Sequence, residues 1–354
     1  MDEQLKSLLE LAVKRNASDL HIVPGRFPSL RIDGELISIA ENGIMVARET
    51  EKILFSILDQ DQKERLAKAK DLDFSFGLND DVRFRVNVYL QTNGWSGAFR
   101  LIQASIKTIE ELNLPPVLHE LTDRRQGFIL IAGPAGMGKS TTLASLIDEI
   151  NHKRSIHIIT IEEPIEFLFS SDKAIISQRE IPKDSPNWHR ALRAALREDP
   201  DLIMIGELRD AESIAIALTA AETGHLVLGT LHTNSAAQTI DRIIDVLPET
   251  VKSQARFQLA SSLIGVVSQR LVPKIENGRI PAVEILFATS AVKNLIRENK
   301  IYQIDLVVET SFDQGMITLE RSLVTLVEAG QISIEMALQY APNPERLRSL
   351  MVSK

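Results

Sequence analysis

The sequence predicts an α/β protein: an N-terminal α+β domain followed by a parallel-sheet domain with a helical C-terminal subregion. Two textures and a break between them carry that expectation. Before residue 112, apolar and polar residues alternate in short segments, whereas after 118 the apolar residues come in unbroken runs. Between them, Asn113-Leu114-Pro115-Pro116 can continue neither a helix nor a central strand, because each proline lacks an N–H and pushes the preceding residue extended. Length agrees: at roughly 150 residues per domain, 354 residues make two or three domains. The domains are therefore expected at 1–112 and 118–354, with a linker at 113–117.

In the first domain, Leu5, Leu8, Leu9, Leu11, Ala12 and Val13 recur at near-helical spacing, and Ser18-Asp19 ends the pattern. Leu30-Arg31-Ile32, the turn Asp33-Gly34 and Glu35-Leu36-Ile37 form a hairpin signature, since glycine accepts the positive φ of a tight turn. Leu72, Phe74 and Phe76, then Val82, Phe84, Val86 and Val88, alternate with polar neighbours as half-buried antiparallel strands do. In the second domain, Phe128 to Ala132, His157 to Ile161 and Leu202 to Ile205 are the continuous runs of parallel strands buried on both faces. After Pro281 the pattern is mostly helical, as in Ala291 to Asn299 and Leu319 to Ala329.

Composition narrows the function classes. Hydrophobic residues at 44% and charged residues at 25% fit a globular chain that builds cores, not a disordered one. Lysine and arginine number 40 against 48 acids, a formal charge of −8, which disfavours a general nucleic-acid coat or a polybasic membrane anchor. The absence of cysteine excludes disulfides, iron–sulfur clusters, cysteine-ligated zinc and a thiol nucleophile. Met1-Asp2-Glu3-Gln4-Leu5 has no basic start or apolar run of a signal peptide, and no stretch reaches the roughly 18 apolar residues of a membrane span. A cytoplasmic chain is expected, meeting a membrane only through a partner.

The strongest chemical signal is Gly133-Pro134-Ala135-Gly136-Met137-Gly138-Lys139-Ser140, a complete G-x-x-x-x-G-K-[ST], followed by the helical Thr141-Thr142-Leu143-Ala144. It follows a buried strand and opens a helix, as phosphate binding requires. The glycines let backbone N–H groups wrap an anion, Lys139 reaches the β and γ phosphates, and Ser140 can ligate Mg²⁺. ATP or GTP is the expected ligand. Downstream, Leu202-Ile203-Met204-Ile205-Gly206-Glu207 ends a strand on an acid at the edge where open α/β sheets bind ligands, so Glu207 is expected to face the nucleotide's metal. An Asp is commoner in that place. Glu162-Glu163-Pro164-Ile165-Glu166 gathers three carboxylates within five residues, one of them the candidate base that orients water. His225 and His232 flank another apolar run, where a histidine can bond a γ-phosphate or report its loss.

With these motifs in order, the chain resembles the type IV pilus retraction ATPases of the PilT type, within the secretion-ATPase superfamily. Ser18-Asp19-Leu20-His21 and Arg31-Ile32-Asp33-Gly34 resemble the family's N-terminal signature, and Gly133 to Thr142 its phosphate loop. Thr160 to Phe167 resembles its acidic box, Ala191 to Asp210 its second acidic region, and Thr219 to Thr233 its histidine box. Ala291 to Glu298 resembles its retraction-specific C-terminal motif. Ala135, Met137 and Glu163 depart from the commoner Thr, Ser and Asp, and Glu163 leaves the base assignment open.

The resemblance implies a PAS-like N-terminal domain, a RecA-like ATPase domain, and a homohexamer whose nucleotide sites lie between the two domains. Arg85 and Arg100 match family arginines that approach the phosphates. Lys139, Ser140, Glu162, Glu166, Glu207, His225 and His232 match core ATPase positions, with the loop from Gly133 to Thr141 on the nucleotide and Ser140 and Glu207 on Mg²⁺. Implied partners are the inner-membrane platform protein and the pilus base, at the cytoplasmic face of the inner membrane. Pilus assembly and type II secretion ATPases share the core but carry a cysteine-rich zinc module, which this chain lacks, so retraction is favoured over extension. An accessory retraction ATPase of the PilU type is the alternative within the class. A RecA-like nucleic-acid motor is more remote, because an acidic chain with 5% aromatics suits a strand-binding channel poorly. No nucleic-acid partner is expected.

Overall fold

The computed structural model describes residues 1–32, 34–79, 82–102, 106–276 and 278–352. The chain divides into two units, Met1–Ser105 with Pro164–Leu168, and Ile106–Glu163 with Phe169–Lys354. The linker expected at 113–117 thus falls inside the second unit. Ile109, Leu114 and Leu118 are buried in that unit's core. The prolines interrupt regular structure there without marking where burial passes from one core to the other.

In the first unit, β1 (Asp19–Ile22), β2 (Ser29–Ile32), β3 (Glu35–Ser38), β4 (Asp71–Gly77), β5 (Arg83–Gln91) and β6 (Gly94–Ile102) form an antiparallel sheet of order β3-β2-β1-β6-β5-β4. Helices Glu3–Lys14, Ala47–Phe55 and Gln60–Ala69 complete it. The Asp2 side chain opens the first helix by accepting from the Gln4 N–H, filling an N-terminal donor that the helix cannot. Leu20, Leu30, Phe84, Val86 and Phe99 share one buried core with Leu5, Leu8, Leu9 and Leu54. The expected hairpin is β2–β3, with Gly34 at φ 89°; Asp33 of its turn lies outside the described residues.

In the second unit, β7 (Gly127–Ala132), β8 (His157–Glu162), β9 (Ile175–Glu180), β10 (Leu202–Ile205), β11 (Leu226–Leu231), β12 (Leu263–Pro273) and β13 (Arg279–Phe287) follow the order β13-β12-β7-β11-β10-β8-β9. Every neighbouring pair is parallel except β12 with β13. β7 and β11 are buried at every position, which is why they read as unbroken apolar runs.

The C-terminal region corrects one expectation. Pro281 does not open a helical stretch but sits within β13, an edge strand, where a missing ladder N–H is tolerated. Helices begin at Ser290–Arg297 and continue through Leu319–Glu328, Ile334–Tyr340 and Pro344–Val352. Leu319, Leu323, Val324 and Leu347 cluster on Val272, Ile280 and Ala282 of the β12–β13 ribbon. Among the described residues no helix is long and apolar enough to cross a membrane.

Candidate functional site

The phosphate loop leaves β7 at Gly133 and enters the helix Lys139–Lys153 through Gly138, which caps it in the left-handed region at φ 79°. Two of its glycines are required by a close neighbour. A Cβ on Gly133 would lie 2.4 Å from the Gln269 carbonyl oxygen, and one on Gly138 2.9 Å from Gln269 Nε2. Lys139 is buried, and its ammonium donates to the carbonyl oxygens of Gly133 at 2.7 Å and Pro134 at 2.9 Å. The lysine therefore folds back over the concavity formed by its own loop.

From that ammonium a chain of polar contacts runs along the C-terminal ends of the parallel strands. Lys139 Nζ lies 3.3 Å from His232 Nδ1, just past β11, and His232 Nε2 lies 3.4 Å from Glu207 Oε1, just past β10. Arg209 then bridges two acids: its Nε donates to Glu207 Oε2 at 2.7 Å, and its Nη1 donates to Glu163 Oε2 at 2.9 Å. Trp188 Nε1 donates to the same Glu163 oxygen at 3.0 Å. The Glu207 hydrogen bond raises the Arg209 guanidinium above its ordinary value. Parallel strands place these side chains together because all of them emerge at one edge of the sheet.

Glu162 ends β8 and is buried, its Oε1 accepting from the Thr160 hydroxyl at 2.7 Å and Gln178 Nε2 at 3.2 Å. Glu166 is exposed and belongs to the Pro164–Leu168 segment of the first unit. Arg85 and Arg100 also stand in that unit, directly opposite each other on β5 and β6. Arg100 Nε donates to Asp19 Oδ1 at 2.9 Å, and Asp19 is paired in register with both Arg100 and Arg31. Arg31, Asp19, Arg100 and Arg85 thus form one cross-strand row on the face opposite the apolar core.

His225 is a correction. It precedes β11, its carbonyl accepts from the N–H of Gly127 at the start of β7, and its Nδ1 meets the Ala220 carbonyl at 3.0 Å. It therefore lies at the opposite edge of the sheet from the loop, a strand length or about 20 Å from His232. Of the two histidines it is His232 that joins the phosphate loop within this unit. The residues that the motifs did not single out are Gln269, Arg209, Trp188 and Gln178. Arg209 had a signal, since it stands two residues after Glu207 in the same acidic stretch. Gln269 had none.

Residues 1–283 match the family described as Type II/IV secretion system protein. The type IV pilus retraction ATPase PilT of Pseudomonas aeruginosa is 44% identical over 96% of this chain and 99% of its own. The type IV pilus ATPase PilU of the same organism is 34% identical over 98% and 91%. A crystal structure of the pilus retraction motor PilT with bound ADP superposes with a TM-score of 0.90 at 43% identity, over 97% of this chain and 98% of that one. Unbroken similarity of this extent, on top of an intact phosphate loop and its strand-end acids, places the chain among the type II/IV secretion system ATPases, in the PilT-type pilus retraction family.

Proposed function

We propose that this chain hydrolyses ATP to power the retraction of a type IV pilus. The observation that carries the reading is the joining of Lys139, His232 and Glu207 at one sheet edge in a chain that matches PilT more closely than PilU over nearly its whole length, 44% against 34%. In this reading the phosphates take over from the Gly133 and Pro134 carbonyls as partners of Lys139. Two neutral acceptors give way to anionic oxygens, which bind an ammonium more strongly. The N–H groups at the start of the helix Lys139–Lys153 face the same anion.

Ser140 and Glu207 supply a hydroxyl and a carboxylate, hard oxygen donors that suit Mg²⁺. The ion would neutralise charge on the β and γ phosphates. For Glu207 to serve there, its oxygens must be shared with or released by Arg209 and His232, which gives the site a resting arrangement distinct from its working one. Glu162 or Glu166 orients the attacking water, and Arg85 and Arg100 add phosphate-facing cations in an assembled homohexamer. The ring works at the cytoplasmic face of the inner membrane, engaging the platform protein at the pilus base.

The segment Ala291 to Glu298, largely within the helix Ser290–Arg297, couples hydrolysis to the pilus. Val292 and Ile296 bury one side of this helix, while Arg297 is exposed and half-buried Lys293 reaches the Ser261 carbonyl at 3.4 Å. Deleting the gene tests the function as a whole: the strain is expected to carry surface pili yet fail to twitch, and loss of the pili themselves would instead point to pilus assembly.

A further inference from the structure

Gln269 lies within β12, 3% exposed, and both ends of its amide are used on the phosphate loop. Its Oε1 accepts from the Thr142 hydroxyl at 2.7 Å, and its Nε2 donates to the Met137 carbonyl at 2.8 Å. The two contacts bracket residues 138–141, the stretch that holds the lysine and the N–H groups of the helix start. Leu271, two residues on, gives its N–H to the Met137 sulfur at 3.3 Å. With Gly133 and Gly138 both pressed against Gln269, this residue meets the loop at its first glycine, its last glycine, the carbonyl between them and the first helical turn.

The Met137 carbonyl matters most. It precedes Gly138, whose lack of a side chain lets the intervening peptide flip without a Cβ clash. In the flipped state a carbonyl oxygen would turn into the concavity that must hold phosphate, and the Gly138 N–H would turn out of it. The amide of Gln269 opposes that flip by offering a donor on the β12 side only. We propose that Gln269 is a positioning residue for ATP: it locks the Met137–Gly138 peptide so that the loop presents N–H groups, not a carbonyl, to the phosphates. This rests on reading Gly133 to Ser140 as the nucleotide site.

The test uses the full chain, with KM and kcat for ATP, the Kd of fluorescently labelled ADP, and the melting temperature measured on each variant. Gln269→Glu keeps the size and the acceptor for Thr142 but sets an oxygen against the Met137 carbonyl. It is expected to raise KM and the ADP Kd by about tenfold or more while kcat at saturating ATP changes less than about threefold. Gln269→Leu combined with Thr142→Val replaces both partners of one hydrogen bond by apolar groups and so regains melting temperature over Gln269→Leu alone. Its KM is expected to stay raised, because Met137 still lacks its donor. A KM that recovers along with the melting temperature, or a Gln269→Glu KM within about twofold of the unaltered chain, overturns the proposal. Lys139→Ala separates the two levels. If it still binds labelled ADP as the unaltered chain does, the site itself lies elsewhere and the proposal falls with it; if it loses ADP while the Gln269 variants do not, only the role of Gln269 fails.

Discussion

In β5 of the first sheet, buried and half-buried residues alternate from Arg83 to Val88, whereas in β7 and β11 of the second every residue is buried. The antiparallel sheet keeps one face for its core and leaves the other to polar side chains, so a row such as Arg31, Asp19, Arg100 and Arg85 can lie across the middle of its strands. The parallel sheet has no such face. Along its central parallel strands the site's polar groups gather at strand ends, where Gly133, Glu162, Glu207 and His232 follow β7, β8, β10 and β11 or close them. One sheet therefore offers a surface and the other an edge, and at that edge the helix Lys139–Lys153 begins.

The sharpest way to break this contrast is to remove the edge chemistry and leave the sheet. Lys139→Ala and Glu207→Ala are each expected to lower ATP turnover by at least about a hundredfold, through lost stabilisation of developing charge, with melting temperatures close to the unaltered chain. Near-normal turnover in either would put the chemistry elsewhere. Neighbouring substitutions inside strands come next. Ile129→Ala and Leu130→Ala, adjacent in β7, should both cost about 2–5 kcal/mol in denaturant unfolding. In β5, Phe84→Ala should cost about 3–5 kcal/mol, and the next residue, Arg85→Ala, within about 0.5 kcal/mol. Equal costs for Phe84 and Arg85 would contradict a one-sided sheet.

Glu284 sharpens the same comparison by titration. It lies in β13, is buried, and accepts from the Ala236 N–H at 3.3 Å; burial first, with nearby Asp305 and Glu320, pushes its carboxyl up to about 8, against the smaller opposing effects of that hydrogen bond and of Arg270. The folded state then binds the proton more tightly than the unfolded one, so stability should decline as pH rises from the ordinary value of 4.5 to about 8. Glu284→Gln should flatten that decline, and an unchanged slope would show that the group is not held neutral. The smallest effect is expected at His119, set between Glu149 at 2.9 Å and Glu110 at 2.7 Å, with its hydrogen bond to Glu149 foremost in raising it above 6.5. Its contribution is complete below 6.5 and fades as pH rises through the raised folded value. His119→Gln should therefore differ from the unaltered chain more on the acid side than on the alkaline side.

What could be read from the sequence was what is local in it. The loop from Gly133 to Ser140 is contiguous, and Glu207 and His232 announce themselves as the first charged or titratable groups after apolar runs. Alternation against continuity separated the two sheets for the same reason: burial on one face or two leaves its mark on neighbouring residues. Gln269 could not be found this way, because its partners Met137 and Thr142 lie 132 and 127 residues away. β13 was hidden by Pro281, whose meaning depends on whether a strand is an edge. His225 was misplaced because a histidine on each side of one strand reads as a pair, although a strand separates its two ends. The linker was misplaced because proline marks breaks in regular structure, while Ile109 and Leu114 had already joined the second core.

Complementation of a strain lacking the gene with Glu207→Ala, at a level of stable protein matched to the unaltered chain, tests most directly whether the sheet-edge site drives pilus retraction. The account predicts pili on the surface and no twitching, with twitching restored by the unaltered chain alone. Twitching restored by Glu207→Ala would contradict it.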